Sequence, residues 1–376
     1  MTSLRTLGRQ AASVVQTGAP LPGAEPGTRP SRRSLRTVTT PAVTASVIVG
    51  VLGFFMPAVL GTGNLMTVLV NGIVLGLGAL SVGFLLNTLG WVSFGGAAFS
   101  GAAAYVFAVV VSSKPELSVQ LAILIAVLGS TMISVLVGLV FVRSRALVFT
   151  MLTLALGQLL LQVVDLHSLS DRTGGTNGLV ASFSGTLFGL DASRLNAAET
   201  FWPIAWACVV VAVFLSWLIT RSAFGRVLRG IRENESRLQH AGFGTYWPKL
   251  AAFAFAGFLG AVSGVLQAIN MSFVSPDLFS FATSGTVIIA VIIGGYESPW
   301  GPVVGAIVLT ELENQFASSG ELFLYMGIAV IVVLVLFPRG ISGLVGVAID
   351  RVKVRRERHH LRSTGSPVPT NPSQSV

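Results

Sequence analysis

Charge is scarce in this chain. Only 10% of its 376 residues are Asp, Glu, Lys or Arg, against about 25% in ordinary soluble domains. Between Pro41 and Val142 the only charged residues are Lys114 and Glu116. A water-soluble fold cannot cover its surface with so few, so that class is excluded. Cysteine occurs once, as Cys208, which excludes an intramolecular disulfide and a metal site built on thiolates. The four histidines, His167, His240, His359 and His360, are scattered over loops and tail. No His, Asp or Glu group has the spacing of a catalytic or metal site, and neither is expected. The phosphate-binding pattern G-x-x-x-x-G-K-[ST] is also missing, so the chain is not its own ATPase of that type.

What is present is apolar sequence. Hydrophobic residues make up 52% of the chain and the mean hydropathy is +0.78. The apolar runs are continuous rather than alternating, which argues against a β-barrel. The fold class read from them is all-α, a polytopic membrane protein of about ten transmembrane helices. The runs fall near 42–60, 65–88, 95–112, 118–142, 146–164, 201–220, 249–269, 283–296, 301–316 and 322–338. The short connections 89–94 and 295–301 read equally as loops or re-entrant turns.

The basic residues fix an orientation. Arg5, Arg9, Arg29, Arg32, Arg33 and Arg36 precede the first run, and Arg339, Arg351, Lys353, Arg355, Arg356, Arg358 and Arg362 follow the last. With ten spans these clusters, Arg143, Arg145 and the 221–248 segment all fall on the cytoplasmic side, as the positive-inside rule requires. Both termini are then cytoplasmic and 165–200 is an external loop. Residues 1–40 read as a disordered tail, 41–345 as the membrane domain, and 346–376 as a basic and then disordered tail. The net charge of +9 is juxtamembrane charge facing lipid, with no nucleic-acid partner implied.

Glycine is abundant within the spans. Gly72 and Gly76 share one helical face, and Gly257, Gly260 and Gly264 another. Small residues let helix backbones approach closely in lipid. Charge inside the spans is nearly absent. The nearest acids, Asp165, Glu297, Glu311 and Glu313, lie at predicted span ends. Ion-coupled transporters place their acids or bases inside the membrane. An uphill transporter of this composition therefore needs energy from a partner. The alternative is a stand-alone secondary transporter or channel for a small neutral solute such as urea.

The charged island from Arg221 to Lys249 interrupts this apolar background. Phe224, Val227 or Leu228, Ile231 and Leu238 recur at helical spacing, with Arg226, Arg229, Glu233 and Arg237 between them. That is a short amphipathic helix, which Gly242 and Gly244 end. It reads either as a helix in the headgroup layer or as a docking surface for a soluble partner. Glu233 and Glu235 oppose pure lipid binding, because an anionic leaflet repels them.

The run Gly225-Arg-Val-Leu-Arg-Gly-Ile-Arg-Glu-Asn-Glu235, with Gly242 and Lys249-Leu-Ala-Ala-Phe253, resembles the cytoplasmic loop of branched-chain amino-acid ABC importer permeases. Further segments agree in order: Ser93-Phe-Gly-Gly-Ala-Ala-Phe99, Thr153-Leu-Ala155, Thr173-Gly-Gly-Thr-Asn-Gly-Leu179, Val274-Ser-Pro276, Phe279-Ser-Phe281, Gly294-Gly-Tyr-Glu-Ser298, Trp300-Gly-Pro302 and Gly305-Ala306. The resemblance spans about 65–345 and is closest to the longer, M-type subunit. The chain departs from the family at Gly96, where histidine is common, at Gln158, and over Ser236–Ala241. The family also includes urea and amide importers, so these departures bear on the substrate.

The resemblance implies a permease subunit in the bacterial inner membrane, moving branched-chain amino acids or a similar small polar solute. It implies as partners a second homologous permease, two ATPase subunits that use ATP and Mg, and a solute-binding protein. This chain itself would bind no cofactor. The 225–242 helix becomes the coupling helix, with Arg229, Arg232, Glu233 and Glu235 in polar contacts, Ile231 as apolar anchor, and Asn234 and Gly242 completing the ATPase-coupling set. Neutral polar and aromatic residues near span centres and turns mark the expected path: Asn71, Ser93, Phe99, Thr150, Thr153, Gln158 and Trp300. Hydrogen bonding between helices is the competing role for each. The external loop carrying Thr173, Gly174, Gly175 and Asn177 would contact the binding protein or cap the vestibule.

Overall fold

A computed structural model of the protein describes residues 50, 53–57, 63–114, 116–166, 170–181, 186–187, 190–191, 197–316, 327–328, 331 and 340–343. The chain divides into two units, Met1–Gly53 and Phe54–Val376. Only Gly50 and Gly53 of the first are described, and the architecture below is that of the second. The expected spans at 322–338 and, for the most part, 42–60 lie outside the described residues, as do the tails.

Among the described residues, six helices are long and apolar enough to cross a membrane: α1 (Asn64–Leu89), α2 (Gly95–Ser113), α3 (Val119–Phe141), α4 (Ala146–Val164), α6 (Ala198–Arg221) and α8 (Tyr246–Met271). The described residues also form a short α5 (Ser170–Thr173), the amphipathic α7 (Ala223–His240), α9 (Phe281–Gly294) and α10 (Gly301–Phe316). Strand pairing among the described residues is limited to two-residue pairs. β1 (Leu179–Val180) lies antiparallel to β4 (Phe273–Val274), with Leu179 opposite Val274, and β2 (Thr186–Leu187) pairs with β3 (Leu190–Asp191). The protein is all-α and membrane-spanning, as its apolar runs require.

Two expected spans take a different form. α9 and α10 have 14 and 16 residues, hence lengths of about 21 and 24 Å, short of the roughly 30 Å hydrocarbon layer. They form a hairpin on the flank of α1. Gly294, Gly301 and Gly305 let their backbones touch, and a β-carbon at any of the three would strike main-chain atoms of the other arm.

α1, α2 and α8 form the core. Their most apolar stretches are 83%, 78% and 72% buried, against 22–33% for α3, α4 and α6 on the outside. The glycine stripes explain the closeness. A β-carbon at Gly72 would lie 2.9 Å from the α-carbon of Ile307, and one at Gly76 3.1 Å from that of Val303, both on α10. Gly260 and Gly264 face α2 in the same way, and a side chain at Gly264 would clash with the Ser100 backbone. Such approach increases dispersion contact where lipid removes the hydrophobic drive between helices.

Gly90, in the left-handed region at φ 71°, ends α1. Residues 90–94 then turn back alongside α1. Gly96 of α2 lies against Gly78, Ser81 and Val82, so α2 starts about 10–16 Å in from the end of α1. At the opposite end of the bundle, 272–280 turns inward after α8. Phe279 packs beside Gly101 and Tyr105 of α2. The starts of α2 and α9 meet where Phe94 and Phe281 stack, with ring centroids 5.9 Å apart.

Candidate functional site

A cavity of about 60 Å³ lies between α1, α2, α8 and α9, with room for a few water molecules. Its polar lining is neutral: Asn71, Ser100, Ser263, Gln267, Asn270 and Thr283. Val74, Leu75, Ala97, Leu278 and Val287 supply apolar wall, and Gly78 and Gly96 leave space. Asn270 donates to the Asn71 side-chain oxygen at 2.7 Å, tying α8 to α1 across the cavity. Ser263 donates to the Val74 carbonyl at 2.8 Å. Such a lining can hydrogen-bond a polar solute and offers no charge to trap an ion.

α7 lies at the end of the bundle where α1 finishes. Ser222 caps it, its side chain accepting from the Gly225 amide at 3.2 Å. Gly225, Leu228 and Ile231 are buried, and Leu228 and Ile231 belong to one cluster with Phe84, Leu85, Leu89, Trp91 and Phe253. Arg226, Arg229, Glu233, Asn234 and Arg237 are exposed. The helix is broken at Asn234, whose backbone is extended (φ −163°, ψ 94°). The Asn234 side chain accepts from the Arg237 amide at 3.0 Å and so caps a second, shorter piece. That piece folds back until Leu238 covers Gly230. Gly242 follows at φ 84°, and Phe243 beyond it is 57% exposed.

Two polar clusters fasten α7 to the bundle. The Arg232 guanidinium donates to the Asn87 carbonyl at 2.8 Å and lies 5.8 Å from the Tyr296 ring centroid. Asn87 in turn donates to the Tyr296 carbonyl at 2.8 Å. Glu235 is ion-paired with Lys249 of α8 and accepts from Thr245 at 2.8 Å. Lys249 is buried beneath Trp91, its ammonium 5.2 Å from the ring centroid.

Compared with known proteins, residues 64–337 match the family described as the permease component of the branched-chain amino acid transport system. The chain belongs to this family. The high-affinity branched-chain amino acid transport system permease protein LivM of Escherichia coli K12 is 29% identical over 305 residues, covering 75% of this chain and 70% of LivM. LivM of Salmonella typhimurium is 28% identical over the same extent. The autoinducer 2 import system permease protein LsrC of Escherichia coli is 26% identical over 117 residues, covering 30% of this chain and 34% of LsrC. No solved structure matches.

Of the residues expected along the path, Asn71 lines the permease's cavity. Ser93 and Phe99 line a narrow recess beside it, separated by Gly96. Thr150 and Thr153 do not reach the cavity. Thr150 donates to the Val92 carbonyl at 2.8 Å, and Thr153 accepts from the Phe94 amide at 3.2 Å. Both hold the re-entrant 90–94 segment. Gln158 is exposed on the outer face of α4, one turn from exposed Gln162. Trp300 packs against Trp206 at 5.8 Å, away from the cavity. Ser100, Ser263, Gln267, Asn270 and Thr283 were not singled out by sequence.

The expected coupling residues divide. Arg229, Glu233, Asn234 and Gly242 are exposed. Ile231 is not a free anchor: it is 5% exposed and belongs to the permease's own core. Arg232 and Glu235 are likewise engaged within the chain. Phe243 is an exposed apolar side chain of this segment that sequence reasoning passed over.

The glycine-rich loop is a built turn. Gly174, Gly175 and Gly178 all have positive φ, at 75°, 53° and 76°. Thr173 donates to the Val164 carbonyl at 2.8 Å, while Thr176 and Asn177 are exposed. A β-carbon at Gly178 would meet the Val274 carbonyl at 2.6 Å, which is why the loop can lie flat on the β1–β4 pair.

Proposed function

We propose that this permease is the membrane-embedded subunit of an ATP-driven importer in the bacterial inner membrane. It works with a second homologous permease, two ATPase subunits that use ATP and Mg, and an extracytoplasmic solute-binding protein. It carries no ATPase site and binds no cofactor of its own. The α7 end of the bundle is cytoplasmic, as are both termini, in keeping with the arginine clusters. The observation that carries this reading is α7 itself. It is a charged element held firmly against the bundle, with Arg226, Arg229, Glu233, Arg237 and Phe243 turned outward. A span-poor charged surface kept this rigid suits docking into a groove on the ATPase.

The solute is net-neutral: a branched-chain amino acid, or a small polar molecule of similar size. The support is the uncharged polar lining of the cavity and the transport systems named for the relatives. The cavity at its present size is a closed waist, which opens as α1 and α8 part at Asn71 and Asn270. The second permease covers the outer face of α4. Gln158 and Gln162 would otherwise leave two amides in hydrocarbon without partners, an unfavourable placement. Trp247, 71% exposed, and Arg143, which lies 5.5 Å over the Tyr246 ring, suit the headgroup layer. The glycine turn at 173–178 caps the external mouth, and its exposed Asn177 is a contact for the binding protein.

Co-purification tests the docking. Arg229→Glu with Glu233→Lys reverses two exposed charges and is expected to strip the ATPases from an otherwise folded permease. Retention of the ATPases with normal stimulation of hydrolysis would refute it.

A further inference from the structure

The two pieces of α7 hold different parts of the bundle. The first piece, through Arg232, holds the end of α1 and the turn between α9 and α10. The second piece begins after the break at Asn234, and its Glu235 holds α8 through Lys249 and Thr245. Gln239 braces the same oxygen of Glu235 at 3.3 Å and Thr245 at 3.2 Å. Lys249 also sits under Trp91 of the re-entrant segment. From Trp91 an unbroken ring series runs inward: Phe149 at 4.7 Å, Phe253 at a further 5.3 Å and Phe99 at a further 5.4 Å. Phe99 lies between Gly96 and Ser100, both on the cavity wall.

We infer that Glu235 and Lys249 are a coupling pair: they transmit displacement of the docked α7 to α8 and, through Trp91, to the α2 wall of the cavity. This rests on the docking reading above and adds the route by which docking acts. Two physical arguments carry it. First, the Lys249 side chain is 7% exposed and that of Glu235 35%. An ion pair with one buried and one part-exposed member is a poor way to gain stability, because desolvation of the lysine offsets the attraction and solvent screens the carboxylate. The charge is therefore explained by positioning rather than by stability. Second, the pair anchors the piece of α7 after the break at Asn234 to α8, while Arg232 anchors the piece before it to α1, so a rotation about Asn234 changes the distance between the two anchored arms. Contiguous packed side chains of this kind can carry coupling between sites.

The experiment uses the full complex in proteoliposomes, measuring solute moved per ATP hydrolysed. Glu235→Gln with Lys249→Met removes both charges and leaves no unpaired ion. The complex is expected to assemble, to keep its thermal midpoint and to hydrolyse ATP, while solute moved per ATP falls about tenfold, a coupling loss in the usual range. A wild-type ratio in an assembled double variant overturns the inference. If the double variant does not assemble, Glu235→Asp decides: the charge is kept and the carboxylate withdrawn by one methylene. A clear fall in the ratio supports the pair, and an unchanged ratio overturns it. Retention of the ATPases, with normal hydrolysis, by the Arg229→Glu, Glu233→Lys permease would instead overturn the docking reading, so the two failures are distinct.

Discussion

The Asn71–Asn270 bridge is the contact at which α1 and α8 meet inside the cavity. Asn270→Leu leaves the Asn71 oxygen without its donor, and because Asn71 is part-buried on the cavity wall the loss is worth about 0.5–1.5 kcal/mol. The permease is expected to remain folded and its uptake to fall steeply, measured as transport against thermal midpoint. Unchanged uptake would remove the bridge from the path. Gly264→Leu is the opposite case. The new side chain meets the Ser100 backbone, and overpacking of this kind destabilises by about 1–3 kcal/mol, so the midpoint should drop even where no solute is present. Both sets of residues were partly legible in the sequence. Asn71 stood out as a polar residue in a span, and Gln267 and Asn270 carry the same signal near the end of another. Thr150 and Thr153 carry it too, yet they bond the 90–94 backbone. A periodicity cannot say which neighbour a polar face meets when the neighbour is a re-entrant segment.

At the scale of the element, α7 divides between burial and exposure. Ile231→Ala removes a core side chain and should destabilise the isolated permease by about 2–5 kcal/mol. Phe243→Ala removes an exposed ring and should leave that stability unchanged while weakening ATPase binding. A titration of permease against purified ATPase, alongside thermal unfolding of each variant, separates the two. Equal effects on both readouts would contradict the division. The amphipathic pattern of α7 was legible, because Leu228, Ile231 and Leu238 follow helical spacing. The break was not drawn from it, although Asn234 followed by Arg237 is an acceptable helix start. Leu238 satisfies the pattern across the break because the second piece folds back onto Gly230. The α9–α10 hairpin shows the same limit. Its apolar runs were found at nearly the right boundaries, yet hydropathy alone does not separate a full span from a half-span flanked by other helices.

For the whole molecule, α1, α2 and α8 form an inner group and α3, α4 and α6 present apolar faces outward. Lipid suits most of that surface, while Gln158 and Gln162 of α4 call for a protein neighbour. Cysteine at 158, with Cys208 replaced by serine and cysteines introduced one at a time along the facing helix of the partner subunit, should form a disulfide to that subunit under oxidation at one or more of those positions. Exclusive labelling by a lipid-phase probe, with no cross-linked species, would place α4 against lipid instead. Membership of the permease family and the all-α membrane class were legible from the ordered motifs and the scarcity of charge. Sidedness and assembly rest on the arginine clusters and the docking surface of α7. The most direct test of the central claim is solute uptake by the reconstituted complex with ATP, with a non-hydrolysable analogue, and without ATPase subunits. Uptake that requires both hydrolysis and the ATPases is the predicted result. Uptake at full rate by the permease without them would contradict the account.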